Sequence, residues 1–421
     1  MNIVAITGAG LVTPFGAGVE AALEGFHTNR IAVAEPTGDG PKWMECVGRA
    51  PSGLESFPPK LQGQVRFLNR GAHLGYNAAL EAIRQADDPQ ALSSRRSLYL
   101  ATGDLTGVGC RPLKPAITAA ADKVFDQLDR PTLNRTAIEQ VNPFFLLETL
   151  YNNPYSFVSA AFDCMGPGTS LASDSPCGNQ AVELAARTIR EDRADVALVV
   201  GCGSWVSEVP LLELEAIGLL SSASLGNRSF RPFDARRDGF LAAEGGAALV
   251  LEPLPRALQR GATVLGTIEG TGSASDPGLS VPSKVTLRSM EIAVADGEHQ
   301  VADLGFICCH GSATRKGDRS ELDALVSLLG KSRQHIPLCA LKPYTGHMGA
   351  ASDIAEIIVG LGAASCGVVP GTPNLERLES AFSDLTLSNQ PRATTGRTFL
   401  SAAYGLAGQS CSVLVNAGYD G

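Results

Sequence analysis

The chain has 421 residues, 44% of them hydrophobic and 18% charged. That balance can bury a sizeable core and excludes disorder as the main state; the length allows two or three domains, or one large duplicated unit. With 43 acidic against 34 basic side chains the formal net charge is −9, which argues against a nucleic-acid partner and leaves only a local basic patch open.

The first apolar run, residues 3–6, stops at Gly8 and Gly10 with no basic segment before it. It does not read as a leader, and no run reaches the roughly 18 apolar residues of a membrane span. The expectation is a cytoplasmic protein with no membrane span.

In chain order, strand-length apolar runs fall at 3–7, 97–101, 196–201, 247–251, 264–268, 305–309, 337–341, 398–402 and 411–415. They are continuous rather than alternating, as expected of strands covered on both faces. Helix-length amphipathic segments at 72–85, 181–190, 320–329 and 355–364 lie between them. The alternation predicts an α/β fold with helices packed on sheets. Residues 112–154, with Pro115, Pro131 and Pro143, read as an insertion carrying its own helices. Residues 256–261 read as a short connection between two halves, 1–254 and 255–421. The opening run has a loose echo at residues 264–270, a weak sign of duplication. Gly8-Ala9-Gly10 invites a dinucleotide reading, but position 13 is Thr, so the spacing predicts only a tight strand-to-loop turn.

Ten cysteines are scattered along the chain: Cys46, Cys110, Cys164, Cys177, Cys202, Cys308, Cys309, Cys339, Cys366 and Cys411. None forms a CxxC pair, so no metal cage is indicated, and reduced, buried thiols are expected.

Three segments combine reactive residues with turn glycines: 166–178, which runs into a helix pattern; 310–318, opening on His310-Gly311-Ser312; and 342–349, with Lys342 and Thr345-Gly346-His347. Together with Ser229-Phe230-Arg231-Pro232-Phe233-Asp234, Arg237-Asp238-Gly239-Phe240, Glu244-Gly245 and Gly405-Leu406-Ala407-Gly408, they run over nearly the whole chain. In these motifs the sequence resembles the β-ketoacyl synthase family of the thiolase superfamily.

The resemblance implies a duplicated thiolase-like fold, layered α-β-α-β-α, with two similar halves. It implies a dimer, homomeric or with a related ketosynthase, and an acyl carrier protein as partner. No bound cofactor is implied; the phosphopantetheine arm of the carrier brings the substrate. A family Cys accepts the acyl chain, and two histidines help decarboxylate malonyl thioester.

The sequence departs from that pattern at the nucleophile. The family's Cys stands nine residues after the Gly of a Gly-Pro pair; counted from Gly166, that position is Ser175. The small pair Ala185-Ala186 supports the same register from the other side. A rival register puts Cys177 there, since Asp174-Ser175-Pro176-Cys177 imitates the family's D-T-A-C. It needs a two-residue shift, which turns a helix face by about 200°. Ser175 before Pro176 also has a purely structural alternative as a helix N-cap.

A serine hydroxyl needs a general base, and His310 or His347 is the expected acceptor. By resemblance, Lys342 supports the site, the N–H groups of Ser175 and Leu406 form an oxyanion hole, and Ser312 and Thr314 contact pantetheine. Asp318, Glu321 and Glu244 match supporting acidic residues. Ala407 replaces a family glycine and restricts φ in the gate segment. Arg95-Arg96, Arg66 with Arg70, and Arg315-Lys316 are the candidate basic surfaces for an acidic carrier. The leading expectation is acyl transfer through Ser175; the alternatives are a chain-length-factor-like subunit, or full condensation through Cys177.

Overall fold

The computed structural model describes residues 3–52, 57–103, 112–124, 126–143, 145, 147, 150–173, 175–276 and 282–418. The nine apolar runs all become strands of one sheet, joined by a tenth that the sequence did not reveal. They are β1 Val4–Thr13, β2 Arg96–Thr102, β3 Gly168–Ala172, β4 Val196–Ser204, β5 Glu244–Pro253, β6 Gly266–Ser275, β7 Phe306–Cys309, β8 Leu338–Ala340, β9 Thr398–Tyr404 and β10 Gln409–Asn416. The spatial order is β3-β2-β4-β5-β1-β6-β10-β9-β7-β8, and Gly16–Ala17 pairs with the end of β1.

This order contains one pattern twice. In the first half, β3, β2 and β4 are parallel and β5 and β1 follow antiparallel. In the second, β8, β7 and β9 are parallel and β10 and β6 follow antiparallel. The halves join where Val4, Ala5 and Ile6 pair with Ile268, Thr267 and Gly266. The sequence echo therefore lies on the two equivalent first strands, β1 and β6.

The described helices of eight or more residues that matter here are α1 Arg70–Gln85, α2 Arg130–Gln140, α3 Asn152–Phe162, α4 Cys177–Arg190, α5 Pro282–Asp296, α6 Arg315–Leu329 and α7 Ala350–Cys366. α4 and α7 form the middle layer and touch strands of both halves. α1 covers the outer face of the first half; α5, backed by α6, covers that of the second. The result is the α-β-α-β-α layering expected. α7 is buried along nearly its whole length, which explains its apolar composition on every face. It runs from Gly349 to a left-handed Gly367.

The turn expected at Gly8-Ala9-Gly10 is not there: β1 continues through it to Thr13, with a bulge between Ile6 and Gly8. The glycines answer to packing. A Cβ at Gly8 would stand 2.1 Å from the Ala82 carbonyl oxygen of α1, and one at Gly10 would stand 2.0 Å from that of Ala78. Only glycine lets α1 lie this close to the strand. Residues 130–140 and 152–162 supply helices in and beside the expected insertion. No described helix is long and apolar enough to cross a membrane.

Candidate active site

The three reactive segments leave the C-terminal ends of parallel strands. β3 leads to Ser175, β7 to His310, and β8 to Lys342 and His347. β9 leads to the turn at Gly405 and Leu406. Ser175, His310, His347, Ser312, Thr314, Tyr404 and Leu406 all line one cavity of about 530 Å³. Strand ends in an α/β sheet are where loops gather such groups.

Lys342 is the buried pivot. Its Nζ lies 2.9 Å from Glu356 Oε1, 2.9 Å from the His310 carbonyl oxygen and 3.1 Å from His310 Nδ1. Three acceptors match the three N–H donors of the ammonium. Burial pushes the Glu356 carboxyl up to about 8, with Lys342 pulling the other way. Glu321 holds the start of the His310 loop by accepting from the N–H of His310 at 2.7 Å and of Gly311 at 2.9 Å.

Both imidazoles have Nδ1 engaged. Nδ1 of His310 faces the Lys342 ammonium, and Nδ1 of His347 accepts from Gly349 N–H at 3.1 Å. The neutral rings therefore carry their proton on Nε2. Burial, reinforced by the Lys342 charge, holds both well below the ordinary imidazole value. The rings stand 5.5 Å apart edge to face; His347 lies between Trp205 and Phe240, and His310 packs on Tyr404. Two neutral N–H donors on one cavity can stabilise negative charge developing on a bound oxygen.

Ser175 is 2% exposed and lies between β3 and α4. Its hydroxyl donates to Asp353 Oδ1 at 2.9 Å, not to an imidazole as the sequence suggested. It is not a helix cap either: the N-cap position of α4 is Pro176. Asp353 is fully buried in α7, and burial raises its carboxyl.

The family models for the β-ketoacyl synthase N-terminal and C-terminal domains match residues 1–257 and 262–376. The chain belongs to the β-ketoacyl synthase family. It is 28% identical over 435 residues to the tetracenomycin polyketide synthase ketoacyl synthase alpha subunit of Streptomyces glaucescens, covering 98% of this chain and 96% of that one. It is equally 28% identical to a 3-oxoacyl-[acyl-carrier-protein] synthase 2 of Rhizobium meliloti, with 99% of each covered. In fold it is similar to a β-ketoacyl synthase from Burkholderia phymatum, with TM-score 0.84, 23% identity and full coverage of both chains. It is also similar to a type II polyketide synthase ketosynthase solved with its acyl-carrier protein, with TM-score 0.83, 22% identity, and 99% of this chain and 100% of that one covered.

The remaining sequence-derived residues of this family member fall into distinct places. Ser312 Oγ sits in a network with Thr314 Oγ1 at 2.9 Å, Tyr404 OH at 3.0 Å and Asp318 Oδ1 at 3.2 Å. Thr314 caps α6, its hydroxyl accepting from Gly317 N–H. Asp318 also accepts from the N–H groups of Phe233 and Ala313, and burial raises it to about 6. Glu244 lies outside the cavity lining and binds Arg70, Ser204 and Ala50. Leu406 is exposed at the cavity, and the left-handed residue of its turn is Gly408 with φ 77°, so Ala407 sits without strain. A Cβ at Gly405 would stand 2.1 Å from the Ser175 carbonyl oxygen, so this glycine sets the approach of the turn to Ser175.

Cys177 opens α4 but is buried in the central core, its thiol 2.8 Å from the Ser173 carbonyl oxygen, and it does not line the cavity. The thiols of Cys164 and Cys202 are pushed by burial up to about 12. Of the described cysteines only Cys366 is exposed; Cys110 lies outside the described residues. Arg95 is taken up by Asp192 and Asp195, Arg96 by the carbonyls of Phe162 and Pro89, and Arg70 by Glu244. Arg66 lies over the Phe67 ring. Arg315 and Lys316 are exposed on the cavity lining.

Three site residues were missed in the sequence: Asp353, Glu356 and Tyr404. A signal existed for two. Asp353 and Glu356 are the acidic pair, three residues apart on one face, in the otherwise apolar α7. Carboxylates in a helix buried all round need partners, and such partners mark sites.

Proposed function

We propose that the protein transfers acyl groups from acyl carrier protein thioesters through Ser175, in fatty-acid or polyketide-type biosynthesis. One observation carries the reading: Ser175 lines one cavity with two neutral imidazoles, and its hydroxyl donates to a buried carboxylate. The acyl carbonyl oxygen is received by the N–H groups of Ser175 and Leu406. His310 and His347 donate to the oxygen of a second, carboxylated thioester as it loses carbon dioxide. Lys342, held by Glu356, keeps His310 in its donor tautomer. The phosphopantetheine arm enters past Ser312 and Thr314, and Arg315 and Lys316 offer the acidic carrier a basic mouth. The half-exposed edge strand β3 gives a second copy, or a related ketosynthase, a strand to pair with.

A second reading, a chain-length-factor-like subunit, is favoured by one feature: no described cysteine lines the cavity. Labelling with a carrier-bound acyl thioester separates the two. Ser175→Ala removes the label and Cys177→Ala keeps it if Ser175 is the acceptor. A label lost with Cys177→Ala, or wild-type protein that never labels, contradicts the proposal.

A further inference from the structure

We propose that Asp353 is the proton acceptor that makes Ser175 a nucleophile. This rests on the reading of Ser175 as the acyl acceptor and deepens it. A serine hydroxyl with no base beside it is a weak nucleophile. The two imidazoles are poorly placed for the task, since both have Nδ1 engaged and carry their proton on Nε2. Asp353 is in place: Oδ1 accepts the Ser175 hydroxyl at 2.9 Å.

The carboxylate is fixed from its other side. Oδ2 accepts from Gly178 N–H at 3.2 Å, in the first turn of α4. Asp353 itself lies in the first turn of α7. The amino ends of two helices thus meet at one carboxylate, and both favour negative charge there. Gly178 leaves the room: a Cβ on it would stand 2.8 Å from Asp353 Cβ. Asp353 is fully buried and does not line the cavity, so it lies behind Ser175 rather than beside the substrate.

The step balances. Ser175 Oγ forms a bond to the thioester carbonyl carbon while its proton passes to Asp353 Oδ1. The carbon–sulfur bond then breaks, the departing thiolate takes a proton from water in the open cavity, and Asp353 gives its proton back to solvent. The products are an acyl oxyester on Ser175 and the free carrier thiol, with the carboxylate restored.

The test is single-turnover acylation with acetyl-, malonyl-, hexanoyl- and octanoyl-acyl carrier protein. It compares wild type, Asp353→Asn, Ser175→Cys and the double variant Ser175→Cys/Asp353→Asn. Asp353→Asn is expected to slow acylation of Ser175 by about 10²–10⁴-fold, the usual share of a general base. A thiol ionises without a fixed base, so Ser175→Cys and the double variant should differ by less than about tenfold. Labelling of the double variant also shows that the Asn substitution folds; Asp353→Ser, read by the same comparison, replaces it otherwise. Wild-type rates in Asp353→Asn overturn the proposal and leave Ser175 as the acceptor. An equal loss in the cysteine background also overturns it, because Asp353 then only fastens α4 to α7. Wild-type protein unlabelled at Ser175 overturns both readings together.

Discussion

Lys342 Nζ and Glu356 Oε1 lie 2.9 Å apart, and both side chains are almost wholly buried. The pair sits beneath His310 and couples the stability of the core to the tautomer of the ring. Removing one partner of a buried pair costs about 3–5 kcal/mol. Lys342→Met should therefore lower the unfolding free energy by about 3 kcal/mol in urea titrations. Lys342→Met with Glu356→Gln should recover most of that loss without recovering decarboxylation of malonyl thioester. Equal stability of the single and double variants would contradict this.

The same burial sets a pH dependence. In the folded protein Glu356, Glu321 and Asp318 titrate at about 8, about 7 and about 6, because burial disfavours their charged forms. The unfolded chain loses those protons near the ordinary carboxylate values, about 3.9 for Asp and about 4.3 for Glu. The folded state then holds more protons, so their contribution falls as pH rises through the folded values. His310 and His347 act oppositely: their depressed values add stability as pH climbs through the ordinary imidazole value of about 6.5. Above about pH 7 the carboxyl trend stands alone, so the urea midpoint should drop between about pH 7 and pH 8. Glu356→Gln should flatten that drop; an unchanged slope would assign it elsewhere.

The two histidines should separate from the serine. His347→Ala is expected to lower decarboxylation of malonyl thioester by about 10²-fold or more, the scale of losing one oxyanion donor. Acylation of Ser175 should fall far less, because its hydroxyl is bonded to Asp353. Carbon dioxide release and acyl labelling, measured on the same variant, read the two effects independently. Equal losses would place His347 in the acylation step.

The exposed Arg315 and Lys316 stand at the cavity. Arg315→Glu with Lys316→Glu should raise KM for the acidic acyl carrier about tenfold, with kcat nearly unchanged, and should weaken the salt dependence of kcat/KM. The same kinetics with a free pantetheine thioester should be indifferent to the change.

Much of the fold was legible because its strands are continuous apolar runs and its motifs sit at their ends. β3 was not, because Gly168-Thr169-Ser170-Leu171-Ala172 is short, half-exposed and made of turn-forming types. Only pairing with β2 makes it a strand. The Gly8 and Gly10 turn was misread because a local pattern cannot show α1 pressing on the strand. Ser175, His310, His347 and Lys342 could be named from the motifs, and so could Glu321 at the His310 loop, yet Asp353 and Glu356 could not. Asp353 reaches Ser175 from 178 residues further along the chain, where only packing brings them together, and Glu356 reaches Lys342 from the helix that follows it.

Gly10→Ala tests the helix approach directly. Its Cβ would stand 2.0 Å from the Ala78 carbonyl oxygen, so α1 must shift. A loss of about 1–3 kcal/mol in urea unfolding is expected, the usual cost of overpacking. An unchanged midpoint would show that α1 yields freely.

The role of Ser175 is decided by which atom carries the acyl group. Wild-type protein is quenched after mixing with acyl-carrier thioesters, and the labelled peptide is sequenced by mass spectrometry before and after neutral hydroxylamine. One acyl group is expected on Ser175, retained because an oxyester resists that treatment. A hydroxylamine-labile adduct on Cys177, or no adduct at all, would contradict it.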